Sequence, residues 1–212
     1  RQGLRAWTTR DSAELYQISG WSEGYFGIDA AGDVQVQPKG DAGPSVSLAR
    51  LVRELAERGN NLPLLLRFSG ILKDRIETLS GAFATAIADH GYQGSYRPVF
   101  PIKVNQQCHV VEEMLRFGQP HGLGIEAGSK PELAATLALA AEPGALLVCN
   151  GYKDERYLET ALMAQQLGAQ VIIVVDRFAE IDLVVKVADR RGVDPTLGVR
   201  ARLTTRGAGK WV

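Results

Sequence analysis

Lys103 lies in the run Phe100-Pro-Ile-Lys-Val-Asn105, a lysine among apolar residues near the end of an apparent strand. Most lysines are solvated surface groups. One held in apolar surroundings loses hydration, which favours the neutral, nucleophilic amine over the ammonium. Schiff-base chemistry needs that amine. Other polar residues fall late in other apolar runs: Glu126 closes Gly122-Leu-Gly-Ile-Glu126, and Arg200 and Arg202 alternate with apolar residues in Leu197-Gly-Val-Arg-Ala-Arg-Leu203. Charges in a strand are by default a solvated face. Arginine's planar fork also makes it the usual partner of a buried phenolate, carboxylate or phosphate.

Several other motifs fail on their surroundings. Gly122-Leu-Gly-Ile-Glu-Ala127 has the spacing of a dinucleotide fingerprint, but its glycines begin a strand instead of opening a helix. Gly207-Ala-Gly-Lys-Trp211 lacks the first glycine of a nucleotide loop, and Trp211 stands where a Ser or Thr would hold magnesium; its amides could still line a small anion site. His90, His109 and His121 show no metal-ligand spacing. No Gly-x-Ser-x-Gly elbow points to a serine hydrolase.

The elements that must position these residues are legible as a rhythm. Residues 25–38 read as two short strands around a Gly/Asp turn, and 38–44 as a loop. Ser47 opens a helix with Leu48, Leu51, Val52 and Leu55 at helical spacing. Six strands follow, over 62–68, 98–104, 122–126, 145–149, 171–175 and 197–203, with helices between them. Apolar strands alternating with helices indicate βα units and a parallel sheet. In the second strand Lys103 shares a face with Val99 and Pro101, and in the third Glu126 opposes Ile125. Polar groups thus gather at the carboxyl ends of strands, where barrel enzymes place their chemistry. Open doubly wound sheets do the same at their switch points. Six strands do not close an eight-stranded barrel.

Composition narrows the partners. Lys plus Arg and Asp plus Glu both number 24, so no net charge argues for nucleic acid or an anionic membrane. No apolar run approaches the ~20 residues of a membrane span. Cys108 and Cys149 form no CxxC pair, which fits a reducing compartment. The expectation is a soluble, cytoplasmic protein.

Six segments in order, Ser22-Glu-Gly-Tyr-Phe26, Arg67-Phe-Ser-Gly-Ile-Leu72, Phe100-Pro-Ile-Lys-Val-Asn-Gln-Gln107, Gly122-Leu-Gly-Ile-Glu-Ala-Gly-Ser-Lys-Pro-Glu132, Cys149-Asn-Gly-Tyr-Lys-Asp154 and Gly207-Ala-Gly-Lys-Trp211, resemble the biosynthetic arginine decarboxylases, which have the alanine-racemase-like pyridoxal-phosphate fold. The likeness runs from about Trp21 to the last residue. It implies a β-rich lead-in over 1–45, belonging to a second β domain, and the first part of a (β/α)₈ TIM-type barrel over 46–212. Lys103 then matches the lysine that holds pyridoxal 5'-phosphate, Glu126 an acidic position near it, Arg202 the strand arginine near the cofactor with Arg200 as a competing alignment, and Asn150 a strand-end position lining the site. The implied reaction converts L-arginine to agmatine and carbon dioxide for putrescine and spermidine synthesis, with magnesium as a further cofactor and active sites shared between subunits of a homo-oligomer.

The family's phosphate loop, the acidic partner of the ring nitrogen, the stacking histidine and the catalytic cysteine lie further along than these 212 residues. The sequence therefore reads as an amino-terminal piece, expected to be inactive by itself. Two other readings remain: a non-catalytic pyridoxal-phosphate-binding or regulatory homologue, and a decarboxylase of the same fold acting on ornithine or diaminopimelate.

Overall fold

The computed structural model describes residues 5–201 other than Ala42 and Ala141. Two compact units emerge, Arg1–Leu79 and Ser80–Val212. The first begins with helices α1 (Thr9–Leu15) and α2 (Ile18–Ser22). Thr8 caps α1 by accepting from the Asp11 amide, while the Asp11 carboxylate accepts from the Thr8 amide in return. Strands β1 (Phe26–Ile28) and β2 (Val34–Val36) pair antiparallel, with Phe26 opposite Val36. Their turn is held by Asp29, whose Oδ1 accepts from the Ala31 and Asp33 amides at 2.9 Å each. Residues 38–41, expected in a loop, form strand β3 (Pro38–Asp41). Strand β4 (Val46–Ser47) joins the other edge of β2, and Ser47 caps α3 (Leu48–Glu57) where the sequence places the cap.

The second unit carries the site. Five strands, β5 (Val99–Pro101), β6 (Gly124–Ala127), β7 (Leu146–Cys149), β8 (Gln170–Val175) and β9 (Thr196–Val199), form a parallel sheet in strictly sequential order. Helices α5 (Cys108–Gly118), α6 (Lys130–Leu139), α7 (Glu155–Gln166) and α8 (Ala179–Arg191) connect them, and α4 (Ser69–Asp89) contains the boundary between the units. Sequential order decides between the two architectures left open above. A doubly wound sheet reverses its order at a switch point and is covered on both faces; this one never reverses. Ala127, Leu147, Cys149, Val171 and Ile173, alternate residues of three strands, pack with Leu133, Tyr157, Leu158, Leu162, Val184 and Val187 into one core. Burying a Leu- or Val-sized side chain contributes roughly 1.5–3 kcal/mol each, so this helix-covered face holds the sheet. The intervening Leu146, Val148, Ile172 and Val174 are only half-buried on the inner face. This is the arrangement of a barrel wall, helices outside, with five of its strands among the described residues.

Three expected strands change. Residues 62–68 join neither sheet and have no regular structure. Pro63 offers no amide donor, and an apolar run becomes a strand only where a neighbour completes its ladder. The strand expected over 98–104 stops at Pro101, on the edge of the sheet, and Ile102–Val104 turn into a 3-10 helix. The sixth strand, expected over 197–203, is also shorter: β9 stops at Val199, Arg200 and Ala201 have no regular structure, and 202–203 lie outside the described residues.

Candidate active site

The carboxyl ends of the five strands form one lip. At β5, Pro101 is in register with Glu126 of β6, and Lys103 follows two residues later in the 3-10 turn. Alternation along a strand does not extend to Lys103, because the strand has ended. Its side chain is exposed, contrary to the dehydrated setting expected from its apolar neighbours. The physical reason is its place on an edge strand, above an inner face that no described element covers. Among the described residues no hydrogen bond or ion pair engages its amine.

Glu126 behaves as alternation demands. Ile125 belongs to the helix-side packing, so Glu126 faces inward, and it is buried. Beyond β6, Gly128 donates to Glu132 Oε2 at 2.7 Å, which fixes the turn into α6. Beyond β7, the Asn150 amide donates to Ala127 O at 2.9 Å. Tyr157 from α7 donates its hydroxyl to that same carbonyl at 2.8 Å. Asn150 Oδ1 is buried and accepts no hydrogen bond among the described residues. A buried acceptor left open at a lip calls for a donor from a ligand. Gly151 then crosses so close to β6's exit that a Cβ would lie 2.2 Å from Gly128 O, and its φ is +71°. Only glycine fits there.

The β7 and β8 exits are locked together by a pair that the sequence reasoning passed over. Lys153 has a fully buried side chain, and its Nζ donates to Gly151 O at 2.6 Å and to Glu180 Oε2 at 3.1 Å. Glu180 also accepts from the Lys153 amide at 3.2 Å and from the Asp176 amide at 3.0 Å. Burial pushes the Glu180 carboxyl up, but the hydrogen bonds from Asp176 and Lys153 outweigh it and hold the group below its ordinary range. Just past β9, the Arg200 backbone N–H donates a hydrogen bond to Val175 O at 3.1 Å, and its Nη1 stands 3.5 Å from Asp176 Oδ1. Arg202 lies outside the described residues.

Lys153 by itself had a signal in the sequence. Asn150-Gly-Tyr-Lys153 places a lysine just past an apolar strand, the same logic that singled out Lys103. Cys149, beneath this lip, is buried, and burial pushes its thiol up to about 11, so it is inert packing instead of a nucleophile. Among the described residues no group of three or more His, Cys, Asp or Glu could hold a metal, and no helix is long and apolar enough to cross a membrane.

The lip therefore offers an accessible amine, an inward carboxylate, an open amide acceptor and an arginine. An amine of this kind can condense with a carbonyl, and a guanidinium can take an anionic oxygen.

Comparisons with known proteins agree with this chemistry. Over 205 residues the chain is 57% identical to the biosynthetic arginine decarboxylase of Thermosynechococcus vestitus, covering 97% of this chain and 32% of that protein. It is 55% identical over 207 residues to the one from Nostoc, covering 98% of this chain and 30% of that protein. The crystal structure of the biosynthetic arginine decarboxylase SpeA from Campylobacter jejuni superposes with a TM-score of 0.79 at 30% identity, covering 89% of this chain and 32% of that one. The chain thus spans about a third of the length of the curated relatives it matches. Residues 74–211 match the family described as pyridoxal-dependent decarboxylase, pyridoxal binding domain. The chain belongs to the pyridoxal-dependent decarboxylases.

Proposed function

We propose that the protein to which this chain belongs decarboxylates L-arginine to agmatine, supplying polyamine synthesis in the cytoplasm, with Lys103 as the residue that holds pyridoxal phosphate. What supports the reading is one observation above the others: of Lys103, Lys130 and Lys153, which follow the ends of β5, β6 and β7, only Lys103 has an amine not committed to a partner among the described residues. The high identity to arginine decarboxylases favours arginine over ornithine or diaminopimelate.

Bound pyridoxal phosphate supplies the electron sink that makes loss of carbon dioxide feasible. The chain's own residues do the rest of what is assigned to them here. Lys103 would supply the amine that holds the cofactor. Glu126, buried and inward-facing beside β5, supplies a fixed negative charge near that amine. Asn150 Oδ1, buried and open, accepts a hydrogen bond from the bound molecules. Arg200, or Arg202, takes an anionic oxygen of the cofactor. In this reading residues 1–45 are a lead-in to a second β domain and 46–212 begin the barrel. Homo-oligomerisation with shared sites and a requirement for magnesium enter from the family resemblance alone.

The test is carbon dioxide release by the full-length protein with arginine, ornithine, lysine and diaminopimelate in parallel. The reading expects arginine to be preferred by at least about a hundredfold in kcat/KM, since a site that pairs buried polar groups with a guanidinium rejects analogues lacking it. Cofactor binding without turnover of any of them would favour a regulatory homologue instead.

A further inference from the structure

Asp176 sits one residue beyond β8, and its carboxylate is set in an unusual way. The side chain is only 5% exposed, yet Oδ1 accepts no hydrogen bond among the described residues. The cation facing it is Arg200, at 3.5 Å, a charge contact without hydrogen-bond geometry. Arg200 itself is 52% exposed. Two flexible surface chains that meet this way contribute little order. Here one partner is buried and fixed, so the anion decides where the cation goes.

The fixing runs back through the clamp described above. The Asp176 amide is bound by Glu180, which is bound in turn by the fully buried Lys153 through both its amide and its Nζ. On the other side, Arg200 is held at the backbone by Val175 O, the residue before Asp176. Arg200 follows β9 two residues beyond Gly198, whose Cβ position lies 3.2 Å from Val174 Cγ2 on the inner side of the sheet. The guanidinium has five donors, and a contact with Asp176 through Nη1 leaves the others for a second anion.

We propose that Asp176 is the positioning residue for Arg200, its buried carboxylate setting the direction in which the guanidinium meets an anionic oxygen of the cofactor. This rests on the cofactor reading given above. Nothing in the chemistry of binding requires Asp176 to touch the cofactor itself.

A double-mutant cycle on the full-length protein tests it. Wild type, Asp176→Asn, Arg200→Gln and the double variant are freed of cofactor and titrated with pyridoxal phosphate, reading Kd from the absorbance of the attached cofactor. Each single substitution is expected to raise Kd about tenfold, and the double about as much as either single, because both remove one interaction. Asp176→Asn within twofold of wild type overturns the proposal. So do effects that multiply to about a hundredfold in the double, which would mean independent roles. Urea midpoints report whether each variant is folded. If Asp176→Asn is not, Asp176→Glu keeps the charge, moves it by one methylene, and the same cycle reads the same coupling. Wild-type protein that takes up no cofactor would overturn the cofactor reading and this inference together, whereas a binding wild type with uncoupled variants overturns only this one.

Discussion

The lip has two ends, and each presents a lysine just past a strand. At the β5 end, Lys103 follows an edge strand and is exposed, with no partner among the described residues. At the β7–β8 end, Lys153 is enclosed between two interior strands and donates to Gly151 O and Glu180. The same sequence signature has produced an uncommitted amine in one place and a bolt in the other. What separates them is whether the protein has already used the ammonium's donors: Lys153 is engaged by a carboxylate and a carbonyl, while Lys103 has no partner among the described residues.

The largest effect expected from this contrast is on chemistry, not on folding. Lys103→Ala in the full-length protein should lower decarboxylation at least about a thousandfold and abolish covalent attachment of the cofactor. Because the side chain is exposed, the urea midpoint should hardly move; an equal loss of stability would break the comparison.

Lys153→Met should do the reverse. Removing one partner of a buried pair leaves the other charge uncompensated and costs about 3–5 kcal/mol. Urea denaturation of the variant reads this directly, and Lys153→Met with Glu180→Gln should recover part of the loss. The pair also has a pH signature. The folded Glu180 carboxyl titrates below its ordinary value, so its contribution is complete above the usual carboxylate range and is lost as pH falls through its lowered folded-state value. The acid-side drop in the urea midpoint should be shallower in the double variant than in the wild type.

Gly151→Ala sharpens the geometry of the same end. A Cβ 2.2 Å from Gly128 O, at a φ of +71°, forces the β6 and β7 exits apart, for an expected cost of about 2–3 kcal/mol by denaturation. Smallest of the set is Asp154→Ala. Asp154 caps α7 through a 2.9 Å bond from the Tyr157 amide, and losing such a cap costs about 1 kcal/mol. Its exposed contact with Lys130 adds little.

Much of this molecule could be read before its structure was known, and the exceptions share a cause. Helix α3 falls where its cap and periodicity put it, since Ser47 and the 48, 51, 52, 55 spacing determine it locally, and α5 to α8 fall between the expected strands. Strands β7 and β8 match their apolar runs to within one residue. The failures come where a strand depends on neighbours. Residues 62–68 have the apolar content of a strand and no ladder to join. Residues 102–104 leave the sheet at its edge after Pro101, which carries Lys103 out of the alternation and into solvent. Glu126 was legible because β6 is interior and its two faces differ. The Lys153–Glu180 pair was not, since its partners lie 27 residues apart and meet only once two βα turns are stacked. Asp176 is invisible for the same reason: its distinction is an unmet oxygen, a property of packing and not of sequence.

Reduction of the full-length, pyridoxal-phosphate-loaded protein with borohydride, followed by peptide mapping, bears most directly on the difference between the two lysines. The label is expected on the peptide carrying Lys103 and on no other. A label on Lys153, or on any lysine besides Lys103, would contradict the account.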